Sequence, residues 1–264
     1  MAFRDITLGT YVYGESFLHR LDPRTKLGAL VLFTTGMMAG DGWAALAAAG
    51  LFVLLACAVS GIRTRYLVRS LMPFKWLIAA TFLLNVLFTG GRILVEGPLP
   101  YGGVTVEGVA AGAVLSFRLL FLVTAASLLT LTTQPVVLVA GVERLLGPFR
   151  RFGLRPHNIA LAMVITIRFI PVLIDEAVKI RKSHIARGFR PDRNLAARMR
   201  GVSLLLIPLF TSTVRRAEEL AVAMECRLFR STAVRTRFFE LKMAGRDWSV
   251  LVTMLLLAPV MAVI

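Results

Sequence analysis

The sequence contains no glycine followed by lysine, so it lacks the phosphate-cradling loop that a nucleotide-hydrolysing domain places at the mouth of a helix. Any work driven by ATP must be supplied by another chain. Cysteine is almost missing: Cys57 and Cys226 stand too far apart for a disulfide framework or a cysteine metal site. His19, His157 and His184 are likewise scattered, without the paired spacing of metal ligands. No metal, cofactor or catalytic residue is expected. Charge is scarce as well, at 17% of 264 residues against 57% hydrophobic. That is more apolar surface than a soluble core of this length needs, and a lipid bilayer is the expected solvent. The first 20 residues include Arg4, Asp5, Glu15 and His19 and no long apolar run, so no cleavable leader is expected.

The charge that is present is lopsided, with 31 Lys and Arg against 15 Asp and Glu and a net charge of +16. These cations are segregated between apolar blocks, as in membrane-protein loops, which argues against a nucleic-acid binder. With ~20 apolar residues enough to cross hydrocarbon, spans are expected at about 27 to 43, 44 to 60, 74 to 90, 109 to 133 and 248 to 264. The first two are joined at "GMMAGDGWAA", where Asp41 between glycines and Trp43 read as an interfacial turn; a single buried hairpin is the alternative. The loop after the second span carries Arg63, Arg65, Arg69 and Lys75, whereas the loop between the third and fourth has only Arg92, with Glu96 and Glu107. The positive-inside rule puts the first loop, the N-terminus and the long segment 134–247 on the cytoplasmic side. The expected fold is therefore all-α and polytopic: transmembrane helices in 1–133, a cytoplasmic helical region in 134–247 and a last transmembrane helix in 248–264.

Proline and glycine divide the cytoplasmic segment into helices near 135 to 146, 157 to 187 and 195 to 229. The last shows an apolar stripe of Leu195, Met199, Val202, Leu206, Leu209, Thr213, Ala217, Leu220, Met224 and Leu228, with Arg216 off it. Pro171 and Pro208 are expected to bend their helices. In "KSHIARGFRP", Gly188 closes a helix and Arg187 favours its dipole. That ordinary reading competes with a functional one, in which Arg187 is a prong aimed at an acidic groove on another protein. In "AVAMECRLF" the small Cys226 precedes a second arginine, Arg227, near the end of the next helix. Two prongs suit a dimeric partner.

Three other features have competing readings. In "LDPRTKL", Asp22 caps a helix that starts with Pro23 while Arg24 and Lys26 anchor it at lipid head groups, or the stretch touches a partner. Arg118, within the fourth span, faces protein or snorkels to the outer interface. Asn85 is a second polar residue at membrane depth. Asp175 and Glu176 point about 100° apart on a helix, which suits salt bridges to Lys179 or Arg168 better than catalysis.

Taken in order, "FLHRLDPRTKLGAL", "TTQPVVLVAGVERLLGPFRRFGLRP", "IRFIPVLIDEAVKIRKSHIARGF" and "RRAEELAVAMECRLFR" resemble the T component of energy-coupling-factor ABC transporters, the CbiQ/EcfT-like family. The resemblance covers nearly the whole chain. It implies a non-catalytic transmembrane coupling subunit of a prokaryotic cell-membrane importer. Its implied partners are two ATP-binding-cassette ATPases and a membrane S component that binds a vitamin or a transition-metal ion. Two Ala-Arg-Gly motifs of the family dock on the ATPases; here Ala186, Arg187 and Gly188 match the first, and Cys226 and Arg227 stand at the second. With Leu228 in place of glycine, the easy helix stop is missing and Arg227 is expected at a different angle. The alternatives are a membrane enzyme acting on a lipid-linked substrate and a membrane-anchored nucleic-acid binder; neither accounts for four ordered blocks.

Overall fold

The computed structural model describes residues 11–14, 16–40, 42–96, 103–153, 156–188, 195–229 and 243–263. Asp41, read above as part of an interfacial turn, lies outside them. The described chain is helical apart from one antiparallel hairpin, β1 (Ile93–Glu96) with β2 (Gly103–Thr105). By contacts it divides into two compact units, one within Leu146–Glu240 and the other formed by Gly9–Leu145 with Leu241–Ile264.

The second of these units holds α1 (Pro23–Ala39), α2 (Trp43–Ser60), α3 (Thr64–Leu71), α4 (Lys75–Phe88), α5 (Val106–Thr132), α6 (Pro135–Leu145) and α9 (Gly245–Val263). Asp22 caps α1 by accepting from the Arg24 N–H, and Pro23 takes the first helical position, where its missing donor costs nothing. The closest partner of α1 is α9, the most distant helix in sequence. Small residues allow this approach: a Cβ added to Gly36 would lie 2.9 Å from the Ala258 backbone. Close contact through small residues is how helices associate where lipid removes the usual hydrophobic drive. Phe33, Met37, Ala49, Val53, Met254 and Met261 form the shared core of α1, α2 and α9.

The helix α2 is apolar all round and ends where Gly61 turns left-handed, at φ 62°. A 3₁₀ turn, Met72–Phe74, carries α3 directly into α4, with Pro73 at the junction. The hairpin β1–β2 then returns the chain to α5, which packs along α4. Thr105 ties this corner together: its hydroxyl donates to the Thr89 carbonyl and accepts from the Gly108 N–H at the start of α5. Asn85 satisfies itself within α4, donating 2.8 Å to the Thr81 carbonyl one turn back.

Large apolar side chains stand exposed on the outer faces of these helices, among them Leu51, Leu54, Trp76, Leu83, Leu255 and Leu256. Water would not tolerate so many; lipid does. Among the described residues, five helices are long and apolar enough to cross a membrane: α2, the continuous α3–α4 run, α5, α9 and, in the other unit, α7 (Pro156–Ala186). The 17 residues of α1 make it shorter than these.

The unit within Leu146–Glu240 contains a 3₁₀ segment, Gly147–Phe152, then α7 and α8 (Leu195–Cys226). Both helices run unbroken past Pro171 and Pro208. The polar end of α7, from Asp175 onward, contrasts with its apolar start, as the sequence indicates.

Candidate functional site

The candidate site consists of two helix ends. At the end of α7 the Arg187 N–H donates to the Ser183 carbonyl (3.1 Å) and the Gly188 N–H to the Ile185 carbonyl (3.0 Å). Gly188 has φ 89°, the left-handed conformation that only glycine adopts freely. At the end of α8 the Leu228 N–H donates to the Glu225 carbonyl (2.8 Å) and the Phe229 N–H reaches back to the Met224 carbonyl (3.0 Å). That pair of bonds is a Schellman closure, and Leu228 supplies its left-handed residue with φ 55°.

The expected loss of the stop after Arg227 therefore does not occur. Leu228 takes the backbone conformation of the missing glycine, at a steric cost of about 1–2 kcal/mol. Arg187 and Arg227 consequently occupy the same position, immediately before the left-handed residue, each at the end of a helix about 31 or 32 residues long. Both arginines are exposed, as are Ala186 and Cys226 beside them.

The two helices pack along part of their length and are joined by Glu176 and Arg216, 3.1 Å apart. This corrects two expectations. Glu176 pairs across to α8 rather than with Lys179 or Arg168, and Arg216 lies half-buried on the packed face while Ala217 is exposed. The half-buried positions Leu209, Thr213, Arg216, Leu220 and Met224 keep helical spacing. Leu206 and Leu228, expected on the same face, are exposed.

A second polar cluster lies in the other unit, where "LDPRTKL" meets α5 and α9. The buried Asp247 carboxylate accepts from the Ala244 N–H (2.9 Å) and from the Asp22 N–H (2.8 Å). A single side chain thus satisfies backbone donors at the starts of both α9 and α1. The first of these bonds is the return half of a capping box. Lys26 does not reach out to head groups as expected. Its ammonium is buried and donates to the Thr132 carbonyl (3.1 Å) and the Thr133 hydroxyl (2.9 Å). There it meets the negative end of the α5 dipole.

His19 braces the approach to α1: its Nε2–H donates to the Val12 carbonyl (2.9 Å), leaving Nδ1 to accept from the Ser16 hydroxyl (2.6 Å). Arg118 faces protein, its guanidinium donating to the Gly40 carbonyl at the end of α1. Sequence reading missed Asp247, Thr132 and Thr133. The one signal for Asp247 was an acid in the third position of an apolar helix. Among the described residues, no group of three His, Cys, Asp or Glu is arranged to hold a metal ion.

Helices faced with lipid-compatible side chains, packed through glycine and carrying a long polar helix end, define a polytopic membrane protein. Comparison with known proteins narrows the class. The family profile described as CbiQ, Cobalt transport protein, matches residues 14–238. The Energy-coupling factor transporter transmembrane protein EcfT of Thermosediminibacter oceani is 41% identical over 257 residues, covering 97% of this chain and 96% of that one. The protein of the same name from Heliobacterium modesticaldum is 42% identical over 251 residues, 94% and 93% of the two chains. That of Bacillus subtilis is 38% identical over 256 residues, 95% of each. The chain belongs to this family, as a transmembrane subunit of energy-coupling-factor transporters.

Proposed function

We propose that the chain is the non-catalytic energy-coupling subunit of an importer, with α7 and α8 as its coupling helices. Arg187 and Arg227 dock in grooves on two ATP-binding-cassette ATPases on the cytoplasmic side of a prokaryotic cell membrane. The membrane helices hold a substrate-binding S component whose cargo is a vitamin or a transition-metal ion. When ATP binding and hydrolysis change the separation of the ATPases, the two tips move, and the helices carry that motion toward the membrane part.

The observation that carries this reading is the likeness of the two helix ends, each holding an exposed arginine before a left-handed residue. Arginine suits docking because its guanidinium stays charged and offers five donors in a fixed fork, able to bridge carboxylates and carbonyls. Length supports the placement of the first tip. At 31 residues and 1.5 Å per residue, α7 spans about 46 Å, whereas hydrocarbon is about 30 Å thick. Even a fully inserted α7 leaves about three turns outside the apolar layer, and its polar residues lie at the Arg187 end.

Arg187→Glu and Arg227→Glu reverse the charge at the proposed contacts. In cells expressing the whole transporter, each variant is expected to lose ATPase co-purification or to uncouple hydrolysis from uptake. Retention of both properties at the parent level by both variants refutes the docking assignment.

A further inference from the structure

The second tip differs chemically from the first. Among the described residues Leu228 is the one non-glycine with positive φ, and its side chain is 83% exposed. Glycine fills the corresponding place after Arg187 without strain. Local packing does not account for the leucine. The apolar contact that accompanies a Schellman end is made by the residue after the left-handed one and the residue that opens the last turn. Here those are Phe229 and Met224, both half-buried. Leu228 is left outside that contact, strained and turned to the exterior.

The surroundings differ in the same sense. Residues 179–188 carry Lys179, Arg181, Lys182 and Arg187 with no acid, a formal charge of +4 with His184 neutral. Residues 219–228 carry Glu219, Glu225 and Arg227, a formal charge of −1. Val222 and Cys226, one turn apart on α8, are both exposed. The first tip is thus fitted for long-range attraction to an acidic groove, and the second presents one cation among apolar atoms and the exposed Glu225.

We propose that Leu228 is the specificity-determining residue of the second tip, held outward by its left-handed backbone so that its side chain enters an apolar pocket beside the ATPase groove that receives Arg227. The proposal rests on the docking reading above and adds the chemistry of one groove. Backbone strain retained at an exposed position is a recognised mark of function. An isobutyl group buried on binding contributes enough to select one groove over another.

The test uses the whole transporter, co-expressed and purified in lipid nanodiscs, with ATPase affinity measured at low and high salt. Leu228→Gly keeps the left-handed end and removes the side chain; Leu228→Asn keeps a tolerated conformation but makes the group polar. Thermal unfolding of each variant is recorded first, and Leu228→Gly is expected to be at least as stable as the parent. Both variants are expected to bind the ATPases about tenfold more weakly. The loss should persist at high salt, because apolar contact is not screened. Leu228→Met should restore most of the affinity.

Parent affinity at both salt levels in Leu228→Gly and Leu228→Asn overturns the proposal. If Arg227→Glu abolishes binding in the same assay while those two variants bind normally, Leu228 alone loses its role. If Arg187→Glu and Arg227→Glu also bind normally, the docking reading falls with it.

Discussion

At the scale of the residue, Asp247 carries more structure than its place in the sequence suggests. Its two carboxylate oxygens serve backbone donors at the starts of α1 and α9. Asp247→Ala leaves the buried Asp22 N–H without an acceptor and removes the partly solvated bond from the Ala244 N–H, and is expected to cost about 1–3 kcal/mol, read as a lowered thermal midpoint in detergent. Asp247→Asn keeps one acceptor oxygen and should lose about half as much. Leu228 is the opposite case, a residue that strains its helix end. Replacing it with glycine should raise stability by about 1 kcal/mol in the same measurement. Lys26 shows why such roles are hard to read from a sequence. A lysine at the edge of an apolar run looks like an interfacial anchor, and only the folded chain brings Thr132 and Thr133 to it.

At the scale of the element, helix limits were largely legible. Proline and glycine predict α6, α7 and α8 to within three residues of their observed ends. Capping and periodicity act within a few residues, so a sequence displays them directly. Pairing acts at a distance, and there the reading failed: nothing local announces that α1 packs on α9 or that Arg216 faces Glu176. Two consequences can be measured. Gly36→Val places atoms against the Ala258 backbone and should destabilise the helix pair by about 1–3 kcal/mol, whereas Ala at exposed Val31 should have little effect. For Glu176 and Arg216, which are partly solvated, a double-mutant cycle should give a coupling of about 0.5–1 kcal/mol. A null coupling would mean that α7 and α8 do not rely on this pair.

At the scale of the whole molecule, the charge pattern implies an orientation. If the segment bearing α7 and α8 is cytoplasmic, the exposed Cys226 should react with a membrane-impermeant thiol reagent in inside-out vesicles and stay protected in right-side-out ones. The reverse labelling would invert the topology and remove the tips from any cytoplasmic motor. The family was legible because its signature stretches are themselves local, whereas the buried cluster behind "LDPRTKL" was not. That cluster also bears on biogenesis. The Asp22 amide waits for an acceptor 225 positions later, and the glycine face of α1 waits for the same helix. A nascent chain halted before α9 would leave α1 without its main packing partner and the Asp22 amide without its acceptor. Docking of α1 is thus completed only when the far end of the chain has been made.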